Sequence, residues 1–108
     1  MVGSVNRVVL LGTVGKYGAT LSYAPSGSAC CKFMLLCVEK TVEHKHFTTA
    51  IPCEIYGRRA EAISADLAPG QVVLYEGKIS RKKRGEQWEF SVAGFDVTLL
   101  QAPALQEV

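Results

Sequence analysis

The amino-acid sequence predicts an all-β chain that closes as a five-stranded Greek-key barrel, with one short helix between the third and fourth main strands. Three observations predict it. Strand-like runs bounded by turn residues recur from Val5 to Leu100. One stretch alone, Gly57 to Leu67, changes to helical spacing. At 108 residues there is room for one core, and a small sheet removes its open edges most cheaply by curling on itself.

The first run is Val5 to Val14, and a turn around Gly15 and Gly18 leads into Thr20 to Ala24. Pro25, Ser26 and Gly27 make the next turn, because proline presets φ and glycine accepts positive φ. Cys31 to Glu39 reads as a long strand, Glu43 to Phe47 as a polar loop, and Thr48 to Tyr56 as the returning strand. In the helical stretch, Ala60, Ile63 and Leu67 share one face, with Arg58, Arg59, Glu61 and Asp66 on the others. Pro69 and Gly70 end it. Val72 to Ser80 is a strand whose internal Gly77 marks a bulge or barrel corner. Lys82 to Glu86, with Gly85, reads as a hairpin tip, and Trp88 to Val92 and Val97 to Leu100 complete the set. Residues 1–102 form the single domain, and 103–108 are expected to be a flexible end. A barrel with its helix after the third main strand is the OB arrangement; propensity alone does not separate it from an SH3-like barrel or a small sandwich.

Composition narrows the function classes. The chain is 48% apolar and 20% charged, an ordinary globular mixture. No run approaches the ~18 apolar residues of a membrane span, and the N-terminus lacks the pattern of a signal peptide, so a cytoplasmic address and no membrane partner are expected. Cys30, Cys31, Cys37 and Cys53 have no C-x-x-C spacing, and His44 and His46 sit in a polar loop. Neither a disulfide framework nor a zinc site is expected from them, and no cofactor is implied. A cysteine nucleophile would need His44 or His46 as its base, but all four thiols lie in apolar strand context, where they are usually inert. No catalytic residue is assigned. Net charge is only +2, yet Lys78, Arg81, Lys82, Lys83 and Arg84 fall within KISRKKR. Such a cluster suits a phosphate-tracking patch and equally a solvated hairpin.

Several segments, in order and spacing, resemble the bacterial single-stranded DNA-binding protein family. They are VNRVVLLG at Val5 to Gly12, LSYAPSGSACCKFMLL at Leu21 to Leu36, IYGRRAEAISADLAPGQVVLYEGKIS at Ile55 to Ser80, and VTLL at Val97 to Leu100. The resemblance implies an OB-fold barrel that binds single-stranded DNA without chemistry, assembles as a homo-oligomer (a tetramer favoured), and works with replication or repair proteins. GTV at Gly12, PSG at Pro25 and Ile51-Pro52 are also similar to the primosomal replication protein of the same fold, which would imply a dimer. A third possibility is a protein-interaction module on the same scaffold. Family members stack bases on aromatics at positions that fall near Thr41, Ala50 and Arg84 here; only Tyr56 stands where the family places one. Phe47 and Trp88 are displaced candidates. Relatives usually continue into an acidic tail, which the residues after Leu100 do not resemble.

Alternation then assigns faces. Ile51, Cys53 and Ile55 share an apolar side of their strand, which turns Tyr56 outward with Glu54 as a stacking candidate. Arg7 matches the basic residue of the family's opening strand and is a phosphate candidate, as are Arg81, Lys82, Lys83 and Arg84. Trp88 and Phe90 share a face with Val92, so a core role competes with stacking. Met34 and Leu36 face away from Phe33 and Leu35, and with Val73 and Tyr75 they are the expected subunit interface.

Overall fold

The computed structural model describes residues 3–101. Its elements are β1 (Val8–Val14), β2 (Thr20–Tyr23), β3 (Ala29–Lys40), β4 (His46–Tyr56), α1 (Arg58–Ile63) with a 3-10 turn at Ser64–Asp66, β5 (Val72–Arg84) and β6 (Gln87–Leu100). The strands are ordered β1-β5-β6-β4-β3-β2, and β1 also pairs with β3. That second pairing closes a five-stranded barrel, with β2 as a short flap on the outer edge of β3 and α1 between the third and fourth barrel strands. The OB arrangement is therefore the observed one.

Closure depends on close backbone approach. A Cβ on Gly12 would collide with the Leu36 carbonyl oxygen, where β1 leaves β5 to meet β3. One on Gly77 would collide with the Ala93 carbonyl oxygen. The β5–β6 register shifts at Glu76/Gly77, so that Gly77 faces Gly94 while Glu76 faces Asp96. This is the bulge expected at Gly77, and Phe95 is its extra residue. Because the bulge is accommodated within the ladder, the two final strands read from the sequence are one strand. The flexible end expected at 103–108 lies outside the described residues.

All ladders are antiparallel except β4 with β6, which pair in parallel only at Cys53↔Val92 and Glu54↔Ala93. Tyr75 reinforces this short seam. Its hydroxyl donates to the Val92 carbonyl at 2.7 Å and lies 3.1 Å from the Glu54 carbonyl. Its ring packs edge-on to Phe33, with centroids 5.6 Å apart. Around this pair lie Val14, Ala29, Cys31, Leu35, Cys53, Ile55, Ala60, Leu67, Val73 and Val92, all buried.

Two interface expectations are corrected here. Val73 and Tyr75 are 0% exposed. The residues of β5 that look outward are their neighbours Leu74 and Glu76, so Val73 and Tyr75 fill the barrel and have no surface to offer a second subunit. Met34 is exposed and Leu36 half-buried, both on the outer side of β3 as alternation requires. Outward apolar residues also gather on β1 and β5, where Val9, Leu11 and Leu74 are 57%, 59% and 39% exposed and Leu11 pairs directly with Leu74.

Candidate nucleic-acid interface

The outer face of β3–β4 is built from cross-strand pairs: Cys30 with Tyr56, Lys32 with Glu54, Met34 with Pro52, and Leu36 with Ala50. The β5–β6 hairpin rises beside it. Two hollows lie on this face, of about 440 Å³ and 300 Å³, and both are lined by Lys32, Pro52, Glu54, Arg84 and Glu89. The first extends to Lys82 and the second to Tyr17 and Met34. Shared walls make them one trough that crosses the strands. It occupies the sheet face and flanking loops on which this architecture receives oligonucleotides.

Tyr56, 43% exposed, does not line the trough itself but stands beside it, bonded to two of its lining residues. Lys82 Nζ lies 4.6 Å from its ring centroid and donates to its hydroxyl oxygen, which in turn donates to Glu54 Oε2. Lys82 Nζ also donates directly to Glu54 Oε2 at 3.0 Å. Lysine, tyrosine and carboxylate are thus locked together, and Tyr56 is held with an exposed ring.

The hairpin register splits the basic cluster in two. Lys82 faces Glu89 and Arg84 faces Gln87, whereas Arg81 faces Phe90 and Lys83 faces Trp88. Cross-strand partners share a side. Lys82 and Arg84 therefore turn toward the trough, while the side chains of Arg81, Lys83, Trp88 and Phe90 take the opposite side of the hairpin, although Lys83 and Phe90 also line part of the larger hollow. There the Arg81 guanidinium lies 4.1 Å from the Trp88 ring centroid and 5.8 Å from that of Phe90, and Lys83 Nζ lies 6.0 Å from Trp88. Trp88 and Phe90 carry the parity of buried Val92 yet are 51% and 61% exposed, because the hairpin outruns the closed barrel and nothing packs opposite them.

Two predicted residues lie elsewhere. Phe47 pairs with Glu39 on the long β3–β4 arm, on the side of β4 opposite to Tyr56. Arg7 is ion-paired with Glu76 on the outer side of β1–β5, away from the trough. Its neighbour Asn6 clamps the backbone of Ile79 with both side-chain ends, accepting from its N–H at 2.9 Å and donating to its carbonyl at 2.8 Å. The sequence reading missed Lys32, Pro52, Glu54 and Tyr17 as trough residues. Alternation puts Lys32 and Glu54 outward; only the register reveals that they meet. Tyr17, 85% exposed beside Lys16, was visible as a lone aromatic in a turn.

Burial disfavours the thiolate form of all four cysteines. Burial pushes Cys53 up to about 12 from 9.0, and burial also raises Cys30, Cys31 and Cys37. Among the described residues no three His, Cys, Asp or Glu side chains converge as a metal site would require, and no helix is long and apolar enough to cross a membrane.

Comparison with known proteins gives the same architecture. A crystal structure of a deletion mutant of the single-stranded DNA-binding protein from Thermus aquaticus superposes with a TM-score of 0.73 at 24% identity, covering 90% of this chain and 51% of that one. The chain thus spans about half the length of that protein. No curated protein matches the sequence. The model of the single-strand binding protein family matches residues 5–98, and with most of its length inside that match the chain belongs to the single-strand binding protein family.

Proposed function

We propose that this protein binds single-stranded DNA without sequence preference and holds it during replication, recombination or repair, doing no chemistry on it. The observation that best supports this is the trough, lined by Lys32, Lys82 and Arg84, with the exposed ring of Tyr56 held beside it against Lys82. Sequence-independent capture needs flat faces for bases and cations for phosphates, and the trough offers both within one strand-wide path. A base stacks on Tyr56 while Lys32 and Arg84 follow the backbone. As the DNA leaves the trough around the hairpin, Arg81, Lys83 and Trp88 extend the contact on the other side. Arg7 and Phe47 lie off this path.

A homo-oligomer accompanies this reading, a tetramer before a dimer. The apolar outer face at Val9, Leu11 and Leu74, with Leu36 on β3, is the surface a second copy would cover. Met34 borders the trough and serves the DNA side. Replication and repair proteins are the expected partners, and a nucleoid-associated cytoplasmic location follows from the ligand. The test is fluorescence anisotropy of labelled oligo(dT) across salt concentrations, with light scattering on the same samples. Binding should weaken with salt by a log–log slope of about −0.7 per phosphate contacted. An assembled protein that ignores oligo(dT) in dilute buffer would overturn the proposal.

A further inference from the structure

The trough contains two charges of the wrong sign for its ligand, Glu89 on its exposed hairpin wall and Glu54, and only Glu54 is largely buried. Glu54 lies on the floor, paired across the strands with Lys32 and bonded to Lys82, with its side chain 13% exposed. Its Oε2 accepts from both Lys82 and the Tyr56 hydroxyl. Its Oε1 accepts no hydrogen bond from any described residue, so one acceptor with free lone pairs remains beside the exposed tyrosine ring. The carboxylate therefore occupies the position on Lys82 that a phosphate would take. A phosphate approaching this point meets a fixed negative charge and a lysine already engaged.

We propose that Glu54 makes the trough select bases over phosphates, so that it admits single strands and rejects duplex DNA. This rests on the single-strand reading above and assigns its discrimination to one residue. A duplex keeps its base faces stacked and presents phosphates along its outer surface; those are the groups the floor repels. A single strand can turn its bases inward, laying one on Tyr56 and offering an edge N–H (the N3–H of thymine, or an exocyclic amino group of other bases) to Oε1, while its phosphates stay at the walls near Lys32 and Arg84. Specificity here comes from a repulsive element placed against the wrong ligand.

The experiment compares wild type, Glu54→Gln and Glu54→Asp, each titrated with labelled oligo(dT) and with a blunt duplex of equal phosphate number, at several salt concentrations. Glutamine keeps the shape and removes the charge. It should raise duplex affinity about tenfold and steepen the duplex salt slope by about 0.9, one further phosphate, while oligo(dT) affinity rises about threefold or less. Aspartate keeps the charge and should preserve the wild-type ratio of the two affinities, which a merely structural role would not require. Should Glu54→Gln be poorly folded by circular dichroism, Glu54→Thr, a residue favoured in strands, carries the same expectation. An unchanged duplex affinity, an equal gain for both ligands, or a loss of discrimination in aspartate as complete as in glutamine overturns the proposal. Wild type that binds neither ligand is a different failure, because it overturns the single-strand reading itself.

Discussion

Replacing Lys82 and Arg84 together by alanine removes two cations from the hairpin side of the trough while leaving Lys32 on the sheet and Arg81 and Lys83 on the hairpin in place. Each cation that neutralises a phosphate of a single strand contributes about 0.7 to the salt slope. Two free cations would therefore set the expected loss at about 1.4. Lys82, however, is already bonded to Glu54. To the extent that this pair persists on DNA, Lys82 contributes nothing, and the loss falls toward about 0.7, from Arg84 alone. Arg84 is itself only loosely engaged, 3.9 Å from Glu89 with both side chains exposed, a geometry of little energetic weight. Across a tenfold rise in salt the double variant should lose roughly 5- to 25-fold less affinity than wild type. The assay is anisotropy of oligo(dT) at five or six salt concentrations, with Arg81→Ala/Lys83→Ala as the matched control from the other side. That control should flatten the slope less, and it should change the emission of Trp88 in the free protein, because it removes the guanidinium stacked on the indole. A Lys82→Ala/Arg84→Ala slope equal to wild type would refute the placement of the DNA in the trough.

Other consequences are as direct. Tyr56→Ala should cost about 1–3 kcal/mol of oligo(dT) binding, whereas Tyr56→Phe, which keeps the ring, should cost far less; equal losses would remove stacking from the account. Tyr75→Phe deletes the hydroxyl that bridges the β4–β6 seam. It should destabilise the fold by about 1–3 kcal/mol, read as a lower urea midpoint at unchanged m; a wild-type midpoint would show the bridge to be idle. Stability should also fall at high pH. The folded state holds the Cys53 proton up to about 12, while the unfolded thiol releases it from 9.0, so stability is complete below pH 9 and declines as pH rises toward 12. Burial shifts Tyr75 in the same direction. Urea midpoints flat from pH 9 to 11 would contradict this.

Much of the fold was legible because local signals agreed with one another. Alternation in Cys31 to Leu35 and in Ile51 to Ile55 named the core, and Gly77 announced its bulge. What the sequence could not show was where the barrel stops. Trp88 and Phe90 have the same parity as Val92, and Phe47 the same as Cys53, yet they are exposed because their arms continue past the closed part of the sheet. Parity says which side a residue takes; only tertiary closure says whether that side is covered. The error at Val73 and Tyr75 has the same origin. β5 is apolar on both sides through Val72 to Tyr75, and pattern alone left open which side faces in. The division of the basic cluster follows from alternation, but which half shares its side with Trp88 and Phe90 depends on cross-strand register, set by the two-residue turn at Gly85 and Glu86.

The parallel seam has a mechanical consequence. Since β4 and β6 run the same way through it, the tips at 41–45 and at Gly85 both point beyond the same end of the barrel, like the jaws of a pair of tweezers. Each jaw is stiffened by its own long antiparallel ladder, whereas at the pivot they meet through two residue pairs, the Tyr75 hydroxyl and the Lys82 contacts to Glu54 and Tyr56, with β1 bridging β3 to β5. Spreading the jaws to take a thicker cargo therefore strains the pivot and leaves both ladders whole.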